Sequence, residues 1–110
     1  MTWLLAVIAL TITPWSGSNY ATADIASVRY RLVVTGAPGA SIRLRADGIA
    51  SGWIAAFCTP RLCSPQRVDA TLPSSGKAVY AFELFRENGS APKHSGAVIR
   101  SDDGASIRVP

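Results

Sequence analysis

Two cysteines near the middle of the chain offer the most specific chemistry in this sequence. Cys58 and Cys63 enclose the four residues Thr59-Pro60-Arg61-Leu62. In an oxidising compartment, two thiols this close in a small domain are expected to form a disulfide. Closing so short a loop removes little entropy from the unfolded chain, so the bond should contribute about 2 kcal/mol to stability. The sequence therefore predicts a structural disulfide that fixes the shape of one loop.

Redox or metal handling through the same two cysteines is the alternative. Thiol–disulfide exchange proteins favour two residues between their cysteines, at a helix N-terminus that lowers the pKa of the nucleophile. Here the spacer is four residues and the surroundings indicate strand and loop. A metal site needs three or four protein ligands, and the single histidine, His94, lies far downstream beside Lys93. No cofactor is expected.

Groups suited to acid–base or nucleophilic catalysis are few. A single histidine leaves no strong triad candidate. Asp102-Asp103 resembles a carboxylate pair, but neighbouring strand residues face opposite ways, and Asp-Asp-Gly is typical of a hairpin tip. We therefore expect a turn there and no enzymatic activity. Asn88-Gly89-Ser90 matches a glycosylation sequon that has meaning only in a eukaryotic secretory pathway.

Four arginines form two closely spaced pairs in a chain of net charge +4. Arg29 and Arg31, like Arg43 and Arg45, are two residues apart, which in a strand places both side chains on one face. If the two strands are neighbours, the four form one cluster that could bind anionic glycan or lipid headgroups. The alternative is a solvated outer face. Nucleic acid is not expected, because no aromatic residues are interleaved with the arginines.

The N-terminus has the layout of a secretory signal peptide. Residues 1–12 are apolar without a charged side chain, a small and polar stretch follows, and Ala21-Thr22-Ala23 supplies the small residues that a signal peptidase requires. The apolar run is about half the roughly 20 residues of a membrane-spanning helix, so no transmembrane segment is expected in the mature chain. We predict cleavage after Ala23, with residues 24–110 as one exported domain, secreted or periplasmic.

Alternation of apolar and polar residues with period two recurs along residues 24–110 and predicts a β domain. The clearest example is Val28–Val34, where the arginines alternate with apolar residues. Seven strands are expected, separated by turn signals about ten residues apart. They are Val28–Val34, Ile42–Ala46, Trp53–Cys58, Gln66–Leu72, Lys77–Arg86, Gly96–Arg100 and Ala105–Val109.

Seven short strands at this spacing predict an all-β, immunoglobulin-like or fibronectin-type sandwich, with Trp53 packed in its core. Gly52-Trp53, the stretch ending Phe57-Cys58, and Leu72-Pro73 before Tyr80-Ala81-Phe82 resemble bacterial extracytoplasmic immunoglobulin-like accessory domains, of the kind found beside α-galactosidases and in cell-surface proteins. The resemblance spans about Val28 to Val109 and implies a non-catalytic spacer or binding module. The expected function is structural association or binding to an unknown protein or a cell-envelope glycan partner.

Overall fold

The chain folds into strands alone over the part that the structure describes. The computed structural model describes residues 8–14, 27–86 and 96–110, and in these residues it contains nine β-strands and no helix. In chain order the strands are β1 (Ala9–Pro14), β2 (Ser27–Thr35), β3 (Ser41–Asp47), β4 (Trp53–Cys58), β5 (Cys63–Pro65), β6 (Arg67–Thr71), β7 (Lys77–Arg86), β8 (Val98–Ser101) and β9 (Ser106–Arg108). The predicted all-β class is confirmed.

Each of the seven segments predicted as strands contains a strand, but the predicted count is too low. The additional strands are β1, in the N-terminal apolar run, and β5, at the second cysteine. Strand β5 is only three residues long, too short for alternation to show, and it pairs with the end of β4. Most of the seven expected strands were predictable from alternation, and Trp53–Cys58 was predictable from its continuous apolar run.

The strands form two antiparallel sheets. One sheet has five strands in the order β1-β2-β7-β4-β5, and the other has four in the order β6-β3-β8-β9. Strands β2 and β3 are consecutive in the chain but lie in different sheets, so the chain crosses between sheets at the turn after Thr35. The hairpin of β8 and β9 turns at Asp102–Gly104, as the sequence predicts.

Both sheets turn their apolar faces toward one shared core. The large side chains with almost no exposure come from both sheets: Phe57, Phe82, Leu32, Ile42, Leu44, Leu72, Leu84, Ile99 and Val34. The ring of Phe57 lies 5.1 Å from that of Phe82 and 6.4 Å from that of Tyr80, centre to centre. Trp53 begins the same strand and is only partly buried against the core. The central aromatic of β4 is therefore Phe57, with Trp53 at the margin.

Strand β1 lies within the predicted signal peptide and forms the edge of the five-stranded sheet. It pairs with β2 from Ala9 opposite Thr35 to Pro14 opposite Tyr30. The residue before it, Ile8, is 5% exposed and belongs to the core. The predicted cleavage site lies outside the described residues, so removal of this segment stays a prediction.

Asp103 connects the start of β1 to the other sheet. The amide of Ile8 donates to Oδ2 of Asp103 at 2.9 Å, while the Ser101 hydroxyl and the Ala105 amide donate to Oδ1. Desolvation alone would raise the pKa of Asp103, but these hydrogen bonds outweigh it and hold the pKa below its ordinary value. The turn between β8 and β9 thus fixes the position at which β1 begins.

Candidate functional site

The outer face of the five-stranded sheet is unusually apolar for a surface that faces away from the core. Among the described residues, the large hydrophobic side chains that are exposed are Ile54 at 41%, Leu62 at 66% and Val79 at 39%. Ile54 and Val79 alternate with core residues of β4 and β7, so both point outward. Leu62 lies in the turn between β4 and β5. Val79 lines a groove on this face, and exposed apolar residues at a concave surface mark interaction sites, so this face is the candidate site.

A groove of about 580 Å³ opens on this outer face. The strand register explains its floor, because Ala81 of β7 lies between Arg31 of β2 and Cys58 of β4. Residues from β2, β7, β4, β5 and the turn after β4 line it: Arg29, Cys58, Thr59, Pro60, Cys63, Val79, Ala81 and Glu83. An apolar concavity with a few polar groups at fixed positions is the usual form of a binding site.

The polar part of the groove is an ion pair between neighbouring strands. Arg29 and Glu83 are directly opposite in the register of β2 and β7, and Nε of Arg29 donates to Oε1 of Glu83 at 2.6 Å. A second guanidinium nitrogen contacts the same oxygen. The Arg29 side chain is 24% exposed and the Glu83 side chain is 8% exposed. The carboxylate is therefore nearly out of water, while the guanidinium still reaches the solvent. The groove therefore holds a balanced pair of charges and no net charge from these two groups.

The predicted disulfide is confirmed and forms one wall of this groove. Cys58 and Cys63 are directly opposite in the register of β4 and β5 and are bonded to each other. Cys58 is buried, whereas Cys63 is exposed. Sγ of Cys58 lies 3.2 Å from Oε2 of Glu83. The other oxygen of this carboxylate, Oε1, accepts the hydrogen bond from Nε of Arg29. The bond fixes the short hairpin that borders the groove.

Glu83 is the residue of this site that the sequence analysis missed. It is the only charged residue between Lys77 and Arg86, on a strand that is otherwise apolar apart from the Tyr80 hydroxyl. An isolated carboxylate at an outward position of a largely apolar strand is a signal for a buried partner, because burying an unpaired charge is costly. The register that brings Arg29 to it could not be read from the local pattern.

Among the described residues, the two cysteines and Glu83 form a group whose ligand atoms are close enough together to hold a metal ion. Their sulfur and carboxylate oxygen atoms lie within 4.8 Å of one another. Thiolates are the form of cysteine that binds metals, so the closed disulfide withholds two of the three ligands. His94, the third ligand considered from the sequence, lies outside the described residues, as does Asn88. Metal binding by these three residues would therefore require prior reduction of the disulfide.

The expectation of a single cluster of four arginines is wrong. Arg29 and Arg31 lie on β2 of the five-stranded sheet, and Arg43 and Arg45 lie on β3 of the four-stranded sheet. Because both strands turn their apolar residues to the shared core, the two pairs point out of opposite faces. Arg29 is also engaged with Glu83. Whether either pair binds an anionic surface stays a prediction.

Other arginines join Arg45 on the outer face of the four-stranded sheet. Arg67 of β6 and Arg100 of β8 lie directly opposite it on either side. Oδ2 of Asp47 lies 3.0 Å from Nε of Arg45 and 3.2 Å from Nε of Arg100, and Arg43 lies opposite Asp69. These carboxylates offset part of the positive charge, so the face carries mixed charge rather than a uniformly basic patch.

Comparison with family models, with curated proteins and with solved structures finds no match to this chain. Within residues 8–14, 27–86 and 96–110, no helix has the length and apolar character needed to cross a membrane.

Proposed function

We propose that this chain is an exported, non-catalytic β-sandwich module that binds a partner through the outer face of its five-stranded sheet. The observation that carries the proposal is the apolar lining of the groove, where Pro60, Val79 and Ala81 lie in place of the solvated polar residues expected on an outer face. Ile54 and Val79 remain exposed on that face. Burying an aliphatic side chain of this size contributes about 1.5–3 kcal/mol, which favours association with an apolar surface. The partner is proposed to be a protein or a cell-envelope glycan.

An immunoglobulin-like topology is part of this proposal. The constant-type immunoglobulin domain places its strands in sheets of order A-B-E-D and C-F-G. The order β1-β2-β7-β4 is compatible with A-B-E-D, and β3-β8-β9 with C-F-G, while β5 and β6 form an insertion between the fourth and fifth strands. The correspondence assigns the place of strand A to β1, and it supports kinship with the accessory domains that the sequence resembles.

Export is supported by two independent features. Disulfides persist in oxidising compartments, and the cysteines of this chain are bonded as Cys58–Cys63. The N-terminus carries the apolar run and the Ala21-Thr22-Ala23 motif of a cleavable signal. Exported material is predicted to begin at Asp24, which N-terminal sequencing measures directly.

Partner capture with matched variants tests the binding face. Val79→Glu places a charge in the groove, and Thr71→Glu places the same charge on the outer face of the other sheet, where Thr71 is also exposed. Envelope extract of the source cells is passed over each immobilised protein, after equal unfolding midpoints show that both variants fold. Wild type and Thr71→Glu should retain the same component, and Val79→Glu should retain at least about tenfold less. Equal retention by Val79→Glu would contradict the assignment of this face.

Thiol–disulfide exchange is the second candidate, because Cys63 is exposed beside the groove where a thiol substrate could approach. A structural disulfide has a low reduction potential, whereas a catalytic one is poised to exchange. Insulin reduction and titration against glutathione separate the two roles. The binding-module proposal predicts no turnover, and appreciable turnover would replace it with a redox function.

A further inference from the structure

We propose that the free edge of β2 is a strand-acceptor site: in the mature chain it binds an extended, uncharged segment of a partner protein, antiparallel to β2, in the place that β1 occupies here. The inference rests on the proposed export processing, which would remove residues 1–23 and β1 with them. It concerns a sheet edge, and so a different surface from the groove on the outer face.

The edge is defined by the pairing of β1. Strand β1 is terminal in its sheet, and its neighbour there is β2. Six residue pairs join the two strands, from Ala9 opposite Thr35 to Pro14 opposite Tyr30. Without β1, the backbone N–H and C=O groups of β2 on this side have no strand to pair with. Such an edge is a template for adding another strand, and peptide-binding proteins use it in this way.

Side chains give this edge selectivity for an apolar segment. In β1 the inward positions are Leu10, opposite Val34, and Ile12, opposite Leu32, and both pack against the core. Val34 and Leu32 have no exposed surface while β1 is in place. Loss of the strand removes apolar cover along one margin of the core, which costs about 25 cal/mol for each Å² exposed. A segment with apolar residues at alternate positions restores that cover.

The start of the site has a specific anchor on the opposite sheet. Ile8 continues the same alternation and is nearly fully buried beside a groove of about 370 Å³ that Ile42 and Ser101 help to line. The amide of Ile8 donates to the carboxylate of Asp103 at 2.9 Å. A donor segment is thereby fixed in register, because its first apolar residue must take the buried position of Ile8 while its amide meets Asp103.

A partner strand fits this edge better than a second mature copy does. A mature copy lacks β1, so two copies that paired symmetrically at this site would join their β2 edges. Each β2 carries Arg29 and Arg31, whereas Ala9–Pro14 carries no charge, and like charges on neighbouring strands are destabilising. The occupant is therefore an extended, uncharged segment of another protein with the pattern of Ile8, Leu10 and Ile12.

Strand exchange in a nicked full-length chain tests the acceptor. A protease site placed between Pro14 and Ser27 allows β1 to be separated from β2 after folding. Labelled, N-acetylated peptides of residues 8–14 are then added in excess, and exchange is followed by fluorescence anisotropy. The wild-type peptide should bind. The peptide with Leu10→Asp and Ile12→Asp should bind about 100-fold more weakly or not at all, since it places charges against the core.

A matched control peptide carries Thr11→Gln and Thr13→Gln on the outward face, where both threonines are exposed and where glutamine adds no charge beside Arg31. It should bind within about threefold of the wild-type peptide, because these positions do not pack against the core. Equal binding of all three peptides, or binding of none, would overturn the acceptor site. If the nicked chain unfolds when β1 leaves, the readout becomes recovery of the β-sheet circular dichroism signal, which the wild-type and glutamine peptides should restore and the aspartate peptide should not.

N-terminal sequencing of exported protein separates this inference from the proposed function. A chain that begins at Asp24 but gives no selective peptide binding refutes the acceptor and leaves export processing standing. A chain that retains Met1 refutes the processing and makes β1 a permanent strand. The proposed acceptor site would then be refuted as well, even if the nicked chain exchanges peptides, because the edge of β2 would never be free in the exported protein. Association of nicked chains into dimers in place of peptide binding would favour the second copy as the occupant and contradict the proposal.

Discussion

Breaking the Arg29–Glu83 ion pair should destabilise the fold by an amount that depends on which partner is removed. The Glu83 side chain is 8% exposed and that of Arg29 is 24% exposed. Arg29→Met leaves a carboxylate that is nearly out of water without this guanidinium. Removing one partner of a buried pair costs about 3–5 kcal/mol. Because the groove still admits some water, we expect the lower end of that range, about 3 kcal/mol.

Glu83→Gln should cost less, about 1 kcal/mol, because the amide oxygen can still accept from Arg29 and the guanidinium can turn toward water. Replacing both residues by apolar ones, Arg29→Met with Glu83→Leu, removes the charges together. Such replacements of buried pairs are often neutral or stabilising, so the double variant should lie within about 1 kcal/mol of wild type. The resulting non-additivity marks direct coupling between the two side chains.

Equilibrium urea unfolding under non-reducing conditions, followed by tryptophan fluorescence and circular dichroism, measures these free energies. The exposed pair of Arg45 and Asp47, whose side chains are 52% and 42% exposed, is the internal control. Asp47→Asn should cost less than about 1 kcal/mol. The reasoning fails if Arg29→Met costs no more than this control, if Glu83→Gln is the more damaging change, or if the double variant is less stable than Arg29→Met alone.

Further changes test the turn geometry, the pH dependence and the disulfide. Gly76→Ala should destabilise the fold by about 2–3 kcal/mol in urea unfolding, because φ is +69° and the new Cβ would lie 2.5 Å from a facing backbone carbonyl oxygen. Gly39→Ala is the control: its φ is +78° but the new Cβ would lie in open space, so it should cost only about 1 kcal/mol. Asp103→Asn should destabilise the protein at pH 7 by an amount that shrinks on acidification. A pKa that is lowered in the folded state stabilises the fold above the unfolded pKa of about 3.9, and this stability is lost as the pH falls through the folded pKa. A destabilisation that does not change with pH would contradict the assignment. Glu83→Gln should speed reduction of the disulfide by dithiothreitol about tenfold, because the carboxylate beside Cys58 disfavours the thiolate that forms as the bond breaks. Timed alkylation of the released thiols measures the rate, and an unchanged rate would show that the contact has no electrostatic effect.

The strands of this protein were predictable because alternation reports which face of a strand meets the core. Val28–Val34 and Ile42–Ala46 each show a clean period of two, and both lie within strands that alternate in the same way. The turn at Asp102–Gly104 was predictable from its composition, and the disulfide from the spacing of its cysteines. These features depend on neighbours in the chain and need no knowledge of the tertiary pairing.

Features that depend on which sheet a strand joins were not predictable from local pattern. The arginine pairs of β2 and β3 were expected to meet because consecutive strands often pair, yet these two strands lie in different sheets. For the same reason the sequence did not bring Arg29 to Glu83. In Ala9–Pro14 the residues Leu10 and Ile12 alternate with threonines, which suits an edge strand, while the surrounding apolar run suits a signal peptide. Composition alone does not separate these two roles.

Site-specific photo-cross-linking in the source cells is the most direct test of the binding face. A photoreactive amino acid at position 79 reports contacts in the groove, and the same residue at position 71 reports contacts on the outer face of the other sheet. If the outer face of the five-stranded sheet binds a partner, irradiation should give a discrete adduct from position 79 and none from position 71. An adduct from position 71 with none from position 79 would contradict the account.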